Sequence, residues 1–73
     1  MKVRTAIQDS GLTRAQIARD AGLSEDAIWS WEAERRTPAP ESLDRLAAGL
    51  RHRAEELQRI AGELEASARN DTE

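Results

Sequence analysis

The run Thr13-Arg14-Ala15-Gln16, closed by Gly22-Leu23-Ser24, is the strongest constraint on what this chain can become. Thr followed three residues later by Gln is a capping box, in which each side chain satisfies a backbone donor that the other leaves free. Gly22 supplies the left-handed backbone that ends a helix, and Ser24 is a preferred residue to open another. Two short helices are therefore predicted, separated by a four-residue break that contains Gly22. Helical spacing turns Ile17, Ala18 and Ala21 of the first inward, and Ile28 and Trp31 of the second, with Ala27 on its flank. The second helix is expected over residues 24–33, leaving Glu25, Asp26, Trp29 and Ser30 pointing away from the core.

On the N-terminal side, Val3, Ala6 and Ile7 recur at helical spacing ahead of Gly11, which predicts a short first helix ended by that glycine. On the other side, Arg35-Arg36-Thr37-Pro38-Ala39-Pro40 reads as the main loop, because each proline lacks a donor and restricts the residue before it. From Glu41 onward Leu43, Leu46, Ala47, Leu50, Ala54, Leu57, Ile60, Ala61, Leu64 and Ala68 keep a helical period. Gly49 can end a helix there, but the residues after it offer no capping side chain to start another, so one continuous helix is predicted. It spans Pro40 to Ala68, roughly 43 Å, with Gly49 and Gly62 each costing about 1 kcal/mol relative to alanine. The final Asn70-Asp71-Thr72-Glu73 is expected to fray. The predicted fold class is all-α: a compact bundle of four to five short helices, the last of them fused into one long C-terminal helix.

Seventy-three residues make one domain near the size where a single core gives marginal stability, and dimerisation is one way to add to it. Cysteine is absent, which excludes disulfides, thiolate metal sites and thiol catalysis. No run approaches the ~20 apolar residues of a membrane span and the N-terminus has no secretory apolar run, so a cytoplasmic location without membrane contact is expected. Phe and Tyr are also absent, so the core must come from Leu, Ile and Ala with Trp. The net charge of −3 is uneven: residues 1–53 hold nine Lys or Arg against eight Asp or Glu, whereas residues 54–73 hold two against six. Phosphate binding depends on clustered local Lys and Arg rather than on the total, and the expected set is Arg14, Arg19, Arg35 and Arg36, with Lys2 and Arg4 as further candidates.

Leu12-Thr13, Ile17-Ala18, Gly22-Leu23-Ser24, Ile28, Trp31-Glu32, Arg35-Arg36, Pro38, Leu43 and Leu46-Ala47 together resemble the Xre-like family of phage repressor and Cro-type helix-turn-helix proteins. The resemblance covers about Val3 to Leu57 and implies a bundle of five helices whose helix 24–33 enters the DNA major groove. It also implies contacts to phosphate or bases from Arg14, base contacts from Glu25, Asp26, Ala27 and Ser30, with Trp29 lying among them, and a phosphate grip by Arg35 and Arg36. The chain departs from the family at Glu25 and Asp26, where members commonly carry Arg, Gln, Ser or Thr.

Carboxylates accept from cytosine N4 but repel phosphate, and at the start of a helix they also complement its dipole, so two readings of Glu25 and Asp26 stand. Trp29 has three readings: packing against Pro38-Ala39-Pro40, contact with a thymine methyl or the sugar-phosphate backbone, or an anchor for a protein partner. Arg35-Arg36 reads as a phosphate grip or as a solvated basic turn.

Leu50, Ala54, Leu57, Ala61, Leu64 and Ala68 repeat at spacings of 4, 3, 4, 3 and 4, a heptad seam of alternating Leu and Ala with Ile60 beside it. Residues 1–50 are thus expected to form the DNA-binding domain, residues 50–69 a homodimerisation segment and residues 70–73 a tail. Parallel and antiparallel pairing are both open, as is a helix folded back over its own bundle. His52 has no partners at metal-ligand spacing, and Glu25/Asp26 and Glu55/Glu56 diverge by about 100° on a helix, so no enzyme, metal or cofactor is expected. The resulting expectation is a sequence-specific, repressor-type regulator that binds a pseudo-palindrome in double-stranded DNA as a homodimer. The alternative is an adaptor or antitoxin-like protein that binds a protein partner through Trp29 or the acidic tail.

Overall fold

The computed structural model describes residues 1–70 and contains four helices: α1 (Val3–Asp9), α2 (Arg14–Ala21), α3 (Glu25–Glu32) and α4 (Pro40–Asn70). Among the described residues there is no strand. The expected all-α class, with a fused C-terminal helix, is what forms.

Local chemistry sets the helix ends. Ser10 closes α1 by donating its hydroxyl to the Ile7 carbonyl at 2.7 Å while accepting the Leu12 amide at 3.1 Å, and Gly11 turns the chain at φ +68°. The capping box of α2 is complete: the Gln16 amide donates to Thr13 Oγ1 at 3.1 Å and the Thr13 amide donates to Gln16 Oε1 at 2.8 Å. Gly22 ends α2 in the left-handed region, and Ser24 opens α3 by accepting the Ala27 amide at 3.1 Å.

α3 ends where expected, capped at Ala33, but the turn that ends it is not the one a glycine would signal. Glu34 takes a positive φ of 59°, the Arg35 amide donates to the Ser30 carbonyl at 2.8 Å and the Glu34 amide donates to the Trp31 carbonyl at 3.2 Å. These are the paired bonds of a Schellman ending, with a glutamate in the place usually held by glycine.

Ile7, Ile17, Ala18, Ile28, Trp31 and Leu46 form the core, and Val3, Leu12, Ala21, Leu23 and Ala27 pack around it. Ile28 is completely covered. Only the first part of α4 takes part. Leu46 enters the core, Gly49 lies buried against α2, and Arg53 pairs with the part-buried carboxylate of Asp20. Gly49 is more than a propensity cost, because a Cβ there would stand 2.8 Å from the Ala21 nitrogen and 2.9 Å from its Cα. The missing side chain lets the two backbones touch.

Beyond Arg53 every described residue of α4 is exposed. The helix therefore leaves the bundle instead of folding back over it, giving a molecule of 54 × 21 × 19 Å. Asn70 is still helical, and the expected fraying of 71–73 lies outside the described residues. No described helix is long and apolar enough to cross a membrane.

Candidate nucleic-acid interface

α2, the Gly22 turn and α3 build the site. Because Ile28 and Trp31 bury one face of α3, the opposite face carries Glu25, Asp26 and Trp29 outward, with Ala27 half-buried at the side. Arg14, in the first turn of α2, lines one shallow crevice with Glu25, Asp26 and Trp29. The turn between the helices thus brings together four of the residues singled out as contacts.

Three arginines fringe this face, and each is held by a residue of α3. Arg14 Nε donates to Glu32 Oε1 at 2.8 Å, an ion pair that spans the helix-turn-helix. The Arg35 guanidinium lies over the Trp29 ring, 5.0 Å from its centroid. Arg36 Nη2 donates to Ser30 Oγ at 3.3 Å, and that hydroxyl in turn donates to the Asp26 carbonyl at 2.9 Å. An exposed ion pair or cation–π contact is weak in water, so such guanidiniums are oriented yet free to exchange onto a phosphate.

One expectation needs correction. Ser30 does not point to solvent: it is only 8% exposed, because its small side chain lets the hydroxyl fold back on its own helix and receive Arg36. Trp29 is 39% exposed and carries the Arg35 guanidinium across its ring, a contact outside the readings its residue type suggested; Pro38 lines a crevice with Trp31 and Val3. The exposed aromatic ring of α3 here serves as a platform for a cation.

The fold adds a second basic group. Lys2 and Arg4 of the N-terminal segment line that crevice with Arg36 and Glu34, so positive charge gathers at the C-terminal end of α3 while Glu25 and Asp26 occupy its N-terminal end. Residue types alone do not reveal this polarity, since it depends on where the N-terminus crosses the bundle. Glu32 was likewise missed, as its pairing with Arg14 bridges eighteen residues of sequence. Of the expected dimerisation residues, Leu50 is half-buried at the root of α4, whereas Ala54, Leu57, Ile60, Ala61, Leu64 and Ala68 are exposed, Leu57 at 55% and Leu64 at 65%.

On α4 the clearest charge coupling is local. A hydrogen bond from Arg59, reinforced by its charge, holds the Glu56 carboxyl below the usual carboxylate range, and Glu63 flanks Arg59 on the other side. This is a solvated helix-face network remote from α3.

A family model described as a helix-turn-helix domain matches residues 2–60, which takes in α1, α2, α3 and most of α4. No curated protein and no solved structure gave a match to the chain.

Proposed function

The chain belongs to the helix-turn-helix domain family, a DNA-binding fold, and we propose that it is a sequence-specific, repressor-type regulator that binds a pseudo-palindromic site as a homodimer. The observation that carries this reading is the exposed face of α3, fringed by Arg14, Arg35 and Arg36, each oriented by a contact to α3 itself. A helix presented in this way fits the major groove, and guanidiniums beside it grip the phosphates that border the groove. Arg14, reaching from α2 to Glu32, and Arg35 with Arg36 all meet α3 in its C-terminal half, which sets that end of the helix against the backbone. Ahead of them Glu25, Asp26 and Trp29 face the base edges. The carboxylates accept from cytosine N4, while the Trp29 ring meets a thymine methyl or the sugar. Affinity then rests on the basic end of the site and discrimination on the acidic end. Promoter occupancy by such a dimer excludes other proteins, which is the repressor mode.

The test is selection of bound duplexes from a random library at low salt, followed by affinity measurements over a range of salt concentrations. Enrichment of an inverted repeat, with a salt slope that falls by about two for each arginine substituted because the homodimer loses one phosphate contact in each half-site, supports the reading. Absence of any enrichment by folded protein overturns it.

A second reading draws on Glu25 and Asp26, which are exposed and carry no ion pair among the described residues, next to a partly exposed Trp29. An acidic surface around an aromatic anchor suits a basic protein partner, and the chain is then an adaptor of the same fold. Salt-insensitive protein binding without DNA affinity distinguishes it.

A further inference from the structure

The projecting part of α4 presents an apolar stripe that its own bundle does not cover, and the chemistry along its edges specifies what does. Leu50, Ala54, Leu57, Ala61, Leu64 and Ala68 repeat as a seam with leucine and alanine alternating. Gln58 flanks the alanine side of the seam together with Arg51 and Glu65, and Ile60 flanks the leucine side. Arg51 and Glu65 are both exposed, and neither takes part in an ion pair among the described residues. They stand fourteen residues apart, about 21 Å along the helix, and so cannot reach each other within one chain.

We infer that α4 is covered by the α4 of a second copy running antiparallel, centred near residue 59, with Arg51 of each chain facing the partner's Glu65. This rests on the homodimer proposed above and supplies its geometry. In the antiparallel register every layer holds one large and one small side chain: Leu50 meets the partner's Ala68, Ala54 the partner's Leu64, and Leu57 the partner's Ala61. All layers then have the same width, and the helices lie close along their whole length. The two flanks complete the match, with two Arg51–Glu65 pairs on one side and Ile60 against the partner's Ile60 on the other.

Parallel pairing has none of these features. It alternates wide Leu–Leu layers with narrow Ala–Ala layers, sets Ile60 beside the partner's Glu65 and leaves Arg51 without a carboxylate. The root of the helix favours the antiparallel choice as well. A groove of about 370 Å³, lined by Ala6 and Leu12 together with Leu50, Ala54 and Leu57, opens where α4 leaves the bundle. Antiparallel pairing brings the partner's Leu64 opposite Ala54, into this groove. Because Leu46 and Gly49 anchor each bundle about twelve residues from the centre, the two bundles stand roughly 36 Å apart along the helices, near the repeat of one DNA turn.

The chain has no cysteine, so single cysteines report the register directly. Ile60→Cys is expected to cross-link the dimer efficiently with a short bis-maleimide. Leu50→Cys and Leu64→Cys are expected to stay monomeric on denaturing gels, because their partners lie about 27 Å and 15 Å away along the axis. Sedimentation equilibrium provides the independent arm: Arg51→Glu and Glu65→Arg each weaken self-association by about tenfold, and the double variant restores it. Strong cross-linking at Leu50→Cys and Leu64→Cys, with no rescue in the double variant, overturns the antiparallel register while leaving the homodimer standing. A wild-type chain that sediments as a monomer at tens of micromolar overturns the homodimer and this inference together. DNA selection tests the regulatory reading separately.

Discussion

Two glycines in the same helix should respond to the same substitution with opposite sign. Replacing glycine by alanine in a helix interior gains about 1 kcal/mol, since the backbone entropy lost on folding is smaller. At Gly62 a Cβ meets nothing within 4 Å, so Gly62→Ala is expected to gain most of that amount. At Gly49 the new Cβ would lie 2.8 Å from the Ala21 nitrogen and 2.9 Å from Ala21 Cα and the Asp20 carbonyl carbon. All three are backbone atoms that no rotamer change can move. Restoring ordinary contact separates α2 from α4 by more than half an ångström, which loosens Leu46 and the Arg53–Asp20 pair. Overpacking costs about 1–3 kcal/mol, and a clash with three immobile backbone atoms belongs in the upper part of that range, about 2–3 kcal/mol, so after the propensity gain of about 1 kcal/mol Gly49→Ala is expected to lose about 1–2 kcal/mol net. For a chain this small each kilocalorie is worth roughly 4–8 °C in Tm. Thermal unfolding followed by circular dichroism, at one fixed protein concentration, separates the two variants by more than 8 °C if the reasoning holds. A Gly49→Ala protein as stable as wild type refutes the close approach of α2 and α4.

Glu34→Gly is expected to stabilise the fold by about 0.5–1 kcal/mol in urea titrations, because glycine adopts the positive φ there without a Cβ penalty. Arg53→Ala, which strands the part-buried Asp20 carboxylate, is expected to cost about 1–2 kcal/mol, and Asp20→Asn/Arg53→Ala together less than the sum of the separate losses. Trp29→Ala removes the platform under Arg35 and is expected to weaken low-salt DNA binding about threefold to tenfold with little change in Tm; an unchanged affinity refutes the tethering role. Acid titration should loosen the distal part of α4. Glu56 is held below its unfolded value by Arg59, so its contribution is present above the usual carboxylate range and fades as pH falls through the lowered value. Helix content that is flat over that window sinks this.

The site was read unevenly from the residues. Arg14, Glu25, Asp26 and Trp29 share a crevice because helix spacing and the Gly22 turn dictate it, and both were written locally in the chain. Ser30 was misplaced because helical angle alone puts it near the edge of the exposed face; its hydroxyl is held by the Asp26 carbonyl and by Arg36, which returns only after the Schellman turn at Glu34. That turn was illegible since a glutamate occupies the usual glycine position. Lys2, Arg4 and Arg36 are legible as basic residues, but their meeting in one crevice depends on segments more than thirty residues apart, which no local spacing encodes.

What the sequence determined alone is everything governed by neighbours three or four residues apart: the capping box at Thr13, the helix breaks at Gly11 and Gly22, the cap at Ser24, the uninterrupted α4 and its Leu/Ala seam. These depend on backbone donors, φ preferences and helical period, all of which act within one turn. The tertiary structure alone decided why Gly49 is a glycine, which carboxylate holds Arg14, what lies over Trp29, and where α4 leaves the core. Those outcomes depend on how closely two backbones approach and which distant side chains then fall within hydrogen-bonding reach, quantities that exist only once the helices have packed.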